Sequence, residues 1–292
     1  MLQEVKNECI AKWSENSKLD KRLQAFSDEY DEWISQFPNE YIPLALKLLK
    51  EVHYFTKKKA NFILQQLHLK LKDKFDITDD NTIYSFIKSK DGETNSSNDY
   101  WTEYKNINDI NKHLCFEDIS KIESEQWKYI NNIVFIDDFS GTGKSIQKEL
   151  EKHIEIFKNK NVYIILVSVM TKAKDKLERF GVENDITIVC LYGECREKIF
   201  MQDIFENGDK ARTEYMEMTE TLSVNEPLGR DKTQAMIALY NNTPNNTLGF
   251  IHSKSEKYRP IFPRKMDKRP IWQQLSDDKK NRKAANYNNS KI

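Results

Sequence analysis

From Met1 to about Thr78 the apolar positions recur at helical spacing, most clearly Leu44, Leu48, Val52 and Phe55, with Lys47, Lys50 and Glu51 on the opposite face. Pro38 and Pro43 bracket the start of that helix, and residues 19–37 and 60–75 read as two more. The pattern predicts an all-helical amino-terminal quarter whose stripes pack against the rest of the fold. Past Asp80 the period changes. Residues 82–88 (TIYSFIK) are β-branched and aromatic and run into the polar stretch SKDGETNSSND, so a strand enters a loop there. A mixed segment of helical spacing ends in Trp127 and Tyr129. Apolar runs at 133–136, 162–169 and 186–191 follow, separated by helical patterns at 144–157 and 172–180. Parallel strands need a crossover of this length, so the middle of the chain predicts an α/β fold with a mostly parallel sheet.

Beyond Cys190 the signals blur. Residues 194–221 read as a charged helix, PLGRDKTQAMIALYNN as a capped helix, and NTPNNTLGFIHS as a turn-rich segment leading into a short apolar run. About 266–292 is rich in Lys, Asn and Asp, with Trp272 its main apolar anchor, and predicts a mostly disordered tail. The expected organisation is a helical region over 1–78, an α/β core over 79–195, an extension over 196–265 that caps the core, and a basic tail over 266–292.

Composition narrows the function classes. At 292 residues with 38% hydrophobic side chains, a core for one or two domains can be built. No run of about 18 apolar residues exists, so no membrane partner is expected. The amino terminus, MLQEVKNECIAKW, has no apolar signal region, and Cys9, Cys115, Cys190 and Cys195 fit reduced thiols; a cytoplasmic location is expected. With 46 basic and 46 acidic side chains, any nucleic-acid surface must be local. Arg259, Arg264, Lys265, Lys268 and Arg269, with Tyr258, Phe262 and Trp272 interleaved, form one such cluster. It reads either as a solvated tail or as a contact for a nucleic-acid or protein partner. The oligomeric state is left open.

The chemistry concentrates in residues 132–145, NIVFIDDFSGTGKS, where an apolar strand ends in two carboxylates followed by a small-residue turn and a helix. Backbone N–H groups of such a turn converge with a helix amino terminus into an anion cradle, to which Thr142 and Ser145 add hydroxyls. Asp137 and Asp138, at the strand's carboxyl end, are placed to accept from sugar hydroxyls or to hold Mg²⁺ through water. GTGKS also looks like the end of a P-loop. The first glycine of that motif, however, falls on Asp138, which puts a carboxylate where backbone must enclose phosphate. An ordinary β-turn-α connection with incidental aspartates is the remaining alternative.

Asp137-Asp138-Phe139-Ser140-Gly141-Thr142-Gly143-Lys144-Ser145 resembles the phosphoribosyl-diphosphate (PRPP) loop of type I phosphoribosyltransferases. The resemblance implies that Asp137 and Asp138 hold the ribose hydroxyls, as catalytic carboxylates. It also implies that Thr142, Gly143, Lys144 and Ser145 bind the 5-phosphate, with Ser140 and Gly141 substrate-binding beside them. Lys144 departs from the small residue common there, and Ser145 stands for Thr. A wider resemblance, through FPNEYIPLALKLL, PLGRDKTQAMIALYNNTPNNTLGFIH and YRPIFPR, is to a divergent phosphoribosyltransferase-like family of bacterial conflict and antiphage systems, including some retron cassettes. It implies a defence effector acting on a nucleobase or nucleotide, or else a catalytically silent module that senses PRPP or a nucleotide within a defence complex. Such an enzyme takes PRPP with Mg²⁺ and needs a diphosphate loop; the candidates are Lys88, Ser89 and Lys90 with Gly92. No residue is assigned as a resident metal ligand. Residues 241–247 (NNTPNNT) read either as a hood bringing amides to a base or as plain turns. His252 reads as a candidate pocket residue.

Overall fold

The computed structural model describes residues 2–15, 18–88 and 96–265. Three helices open the chain: α1 (Leu2–Trp13), α2 (Lys21–Ser35) and α3 (Ile42–Lys50). Asp20 starts α2 by accepting the backbone N–H groups of Arg22 and Leu23, which have no partner inside the helix. The predicted stripe through Val52 and Phe55 overruns the helix. After Lys50 the chain extends into strand β1 (His53–Phe55), so the amino-terminal quarter is not all helical. Val52 and Phe55 are buried as a helix reading expects, but the partner of β1 lies far along the chain, beyond reach of any local periodicity. Thr56 then caps α4 (Lys57–Lys74) through the backbone N–H of Lys59.

The central sheet contains β2 (Thr82–Phe86), β3 (Asn132–Ser140), β4 (Asn161–Met170) and β5 (Thr187–Arg196), side by side in that order and all parallel. This is the α/β fold with a mostly parallel sheet that the strand-helix alternation predicts. Every residue of β2 and β3 is buried, which their unbroken apolar runs require of strands covered on both faces. On one face Tyr84, Val134 and Tyr163 lie in register, and Tyr84 packs on His68 of α4 and on Tyr104 of α5 (Ser96–Ile107). On the other, Phe135 meets Phe157 edge-on. That face carries α6 (Lys144–Glu151), α7 (Ile154–Phe157) and α8 (Thr171–Asn184).

The carboxyl-terminal third departs most from expectation. The predicted helix over 194–221 divides into the end of β5, a 3-10 turn at Ile199–Met201, and α9 (Gly208–Thr221). The predicted capped helix in PLGRDKTQAMIALYNN is a 3-10 turn followed by strand β6 (Ile237–Leu239), which pairs in parallel with β1. Gly229, Asp231, Lys232 and Gln234 all have positive φ, and that prevents a right-handed helix. The apolar run after the Asn-rich turns forms α10 (Gly249–His252).

A second hydrophobic core joins α1, α2 and α3 to α9, β6, α10 and residues 258–262. Phe262 stacks on Phe26 at 5.6 Å and on Tyr54 at 5.3 Å, and Trp33 Nε1 donates to the Tyr258 hydroxyl at 2.7 Å. Tyr258 and Phe262 are therefore core anchors of this second cluster and not part of a solvated tail. Lys268, Arg269 and Trp272 lie outside the described residues. Among the described residues no helix is long and apolar enough to cross a membrane.

Arg22 ties the two chain ends together. Its guanidinium donates to the Leu239 carbonyl at 2.6 Å, the Thr243 hydroxyl at 2.8 Å and the Pro263 carbonyl at 3.1 Å. Charge-assisted hydrogen bonds contribute about 1.5–3 kcal/mol each, and their loss strands buried acceptors. Arg22→Met is expected to lower stability by roughly 3 kcal/mol or more. Urea unfolding should show the loss, with limited proteolysis exposing residues 240–265 first.

Candidate functional site

Strand β2 stops at Phe86, opposite Ile136, while β3 continues to Ser140. The mismatch leaves Asp137 and Asp138 beyond the last residue paired with β2, still alongside β4, near the carboxyl ends of parallel strands where α/β sheets open a crevice. A cavity of about 470 Å³ lies there, bounded by the two aspartates, residues 139–145, Lys88, Ser97 and residues 242–246. The Asp137 carboxylate accepts from Ser97 Oγ at 2.6 Å and from the Asp138 N–H at 2.8 Å. Asp138 accepts the Phe139 N–H at 2.7 Å. Burial, and then the neighbouring Asp138 carboxylate, push the Asp137 carboxyl well above its ordinary value.

The turn after β3 is shaped by two glycines. Gly143 caps α6 with φ of 71°, a left-handed conformation that glycine adopts without steric cost. At Gly141 a Cβ would stand 2.5 Å from the Asn246 side chain, so residues 242–246 lie directly on the turn. Asn246 is fixed by donating to the Arg230 carbonyl at 3.2 Å and the Thr233 hydroxyl at 2.9 Å.

Both described lysines of the predicted site are held by carboxylates. Lys144 Nζ sits 2.7 Å from Asp231 Oδ1, and Lys88 Nζ sits 3.1 Å from Asp118 Oδ2. The Ser120 hydroxyl and then Lys88 hold the Asp118 carboxyl well below its ordinary range, and Lys144 lowers Asp231 likewise.

The fold gathers Lys88, Asp137, Asp138, Ser140, Gly141, Thr142, Gly143, Lys144 and Ser145 around one cavity. Ser89, Lys90 and Gly92 lie outside the described residues. Asn242, Asn245 and Asn246 reach the cavity wall, whereas His252 is buried away from it with Nε2 3.0 Å from the Thr247 carbonyl. Sequence reasoning missed Ser97, Asp118, Arg230, Asp231 and Arg264. Ser97 sat in a stretch read as loop, Arg230 and Asp231 in a stretch read as helix, and Arg264 in an apparent tail. Only the Gly-Arg-Asp turn chemistry of residues 229–231 carried a local signal.

A family profile described as PRTase-CE matches residues 30–264, a span that includes the sheet's core, most of the second core and the whole cavity. The chain belongs to this phosphoribosyltransferase-like family. No curated protein matches it.

The raised Asp137 sets a pH dependence. Unfolded, the carboxyl ionises near its ordinary value of 3.8, while in the fold it keeps its proton to higher pH. The unfolded state therefore releases its proton first, and stability falls as pH rises from 3.8 towards the folded value. Asp137→Asn keeps an oxygen acceptor for Ser97 and Asp138 and carries no charge. It is expected to unfold at a higher urea concentration than the native chain at pH 7, with the difference closing below about pH 4. A lower midpoint at pH 7 would contradict the assignment.

Proposed function

We propose that the chain binds PRPP, or a nucleotide presenting the same ribose 5-phosphate, in the cavity at the end of β3. The observation that carries this reading is that the Asp137/Asp138 pair and the 140–145 turn border a single ligand-sized cavity. Carboxylates accept from the sugar hydroxyls, and the amides at the start of α6, with Thr142 and Ser145, face the 5-phosphate. Membership of a phosphoribosyltransferase-like family supports the reading.

In the transferase form, the bond from C1 of the ribose to the diphosphate oxygen breaks, and positive charge develops on the sugar ring. The two carboxylates orient the ring, and the Lys88 amine offsets charge on the departing diphosphate. Two carboxylates offer hard oxygen donors that suit Mg²⁺ through water, and no larger ligand cluster occurs among the described residues. That donor set fits an ion arriving on the diphosphate, whose charge it neutralises. In the defence setting implied by the sequence resemblance, the acceptor is a nucleobase or nucleotide, and transfer depletes that pool.

The two parked lysines give the ligand a specific path. Phosphate oxygens entering the cavity replace Asp231 on Lys144 and Asp118 on Lys88. The same contact supports a second reading, a silent sensor. Asp231 belongs to the segment that leads into β6 and the second core, so its release by a ligand reaches that core.

Calorimetry with PRPP and Mg²⁺ tests the binding claim. Asp137→Ala with Asp138→Ala is expected to weaken affinity by about tenfold or more. Asp231→Asn is expected to strengthen it roughly twofold to fivefold, the worth of an exposed ion pair. Unchanged affinity in the double variant refutes the site. Incubating labelled PRPP with cell extract separates the readings: label transferred to an acceptor marks a transferase, and binding without transfer marks a sensor.

A further inference from the structure

Across the Gly141–Thr142 turn from the first cavity lies a second, of about 480 Å³, at the carboxyl ends of β4 and β5. Its walls carry six cations: Lys172, Lys176 and Arg179 from α8, Arg196 at the end of β5, Lys198 just after it, and Lys232. None of the six forms a salt bridge among the described residues, although ion pairs are frequent elsewhere on this chain. Three carboxylates also border the cavity, and two of them have lysine neighbours outside it. Asp231 is held by Lys144 at 2.7 Å and Asp175 lies 3.6 Å from Lys174, and neither of those lysines lines the cavity. Lys174 is held more closely by Glu178, and Asp231 also lies near Lys172, so three bordering carboxylates face six positive charges. Crowding of like charge is disfavoured unless an anion relieves it. Burial, followed by Lys172 and Arg212, pushes the Lys198 amine below its ordinary value, a sign of that crowding.

The cavity is not uniformly polar. Met170 forms part of its wall, and Met201 lines it while remaining 67% exposed. A flexible thioether beside a basic wall suits a flat ring joined to an anionic group. The volume fits a small molecule, within the roughly 300–1,000 Å³ of ligand pockets.

We propose that this cavity is a second ligand site, distinct from the ribose-phosphate cavity, and that it takes a nucleoside phosphate: phosphates on the Arg179–Lys198 wall and the base against Met170 and Met201. The inference rests on the charge and shape of this cavity and does not depend on what occupies the first.

Equilibrium dialysis of the full chain with ATP, fitted with one site in each cavity because the first is also proposed to take a nucleotide, tests it. Arg179→Gln with Lys198→Gln is expected to weaken ATP binding by about tenfold or more, and Lys172→Gln with Lys176→Gln should do the same. Asp137→Ala with Asp138→Ala should leave ATP bound at this site, as should the control Lys128→Gln with Lys158→Gln, which removes equal charge elsewhere. Met201→Ser should weaken ATP while leaving binding of inorganic diphosphate unchanged. Circular dichroism and thermal melting confirm that each variant is folded. The proposal is overturned if the native chain binds no ATP, if both basic-wall variants bind it normally, or if the control loses as much. Loss confined to the Asp137/Asp138 variant would assign ATP to the first cavity, and stronger competition by a single-stranded oligonucleotide would assign the basic wall to nucleic acid; either result also overturns it.

Discussion

The buried guanidinium of Arg22 is the contact on which the arrangement of this protein depends. Burial pushes its ionisation below the ordinary value, while Tyr54 and Asp20 oppose that shift. The charge is tolerated because its donors meet acceptors at the end of β6, in the Asn-rich turn and near residue 263. Phe262 lies beneath it, with the guanidinium carbon 5.5 Å from the ring centre. Asp20 meanwhile caps α2 and accepts twice from Tyr54, which ties β1 to the same point. One amino-terminal residue thus fixes where residues 240–263 run, and through them where the roof of the cavity lies.

That roof is itself held in an unusual conformation. The segment from Gly229 to Gln234 carries three non-glycine residues at positive φ, each costing on the order of 1 kcal/mol. Backbone bonds from Arg230 to Asn245 and from Ala235 to Asn246 sustain it, so the Asp231 turn and the Asn-rich turn form one unit. The unit sets Asn246 on Gly141 and Asp231 on Lys144. Strain of this kind is supported by the surrounding packing, here the second core, and it places the Asp231 carboxylate against Lys144.

Charge is arranged in opposition within the first cavity. The floor holds two carboxyl groups so close and so dry that Asp137 resists ionisation. Two of the cations at its rim, Lys88 and Lys144, stand each on its own aspartate, and Lys148, Lys152, Arg230 and Arg264 line it as well. The second cavity carries six cations against three bordering carboxylates, where the first has six against four. A single turn, residues 141–142, separates the two environments.

How much of this was legible in the chain differs by region. The central strands and the aspartate-glycine turn could be read directly, because a strand buried on both faces must be apolar throughout and a tight phosphate-type turn must use glycine. Asp20 and Thr56 start α2 and α4, since a short oxygen-bearing side chain satisfies free N–H groups locally, although the sequence reading did not single them out. β1, β6 and the second core could not be read, because their partners are distant in sequence and a three-residue strand has no period of its own. Ser97, Asp231 and Arg264 were hidden for the same reason: each is an ordinary polar residue until folding brings it to the cavity. The sequence by itself determined the sheet, the acidic pair and the turn, which are local consequences of side-chain type and spacing. Tertiary structure alone decided the roof, the lysine partners and the basic cavity, because those depend on which distant surfaces bury one another.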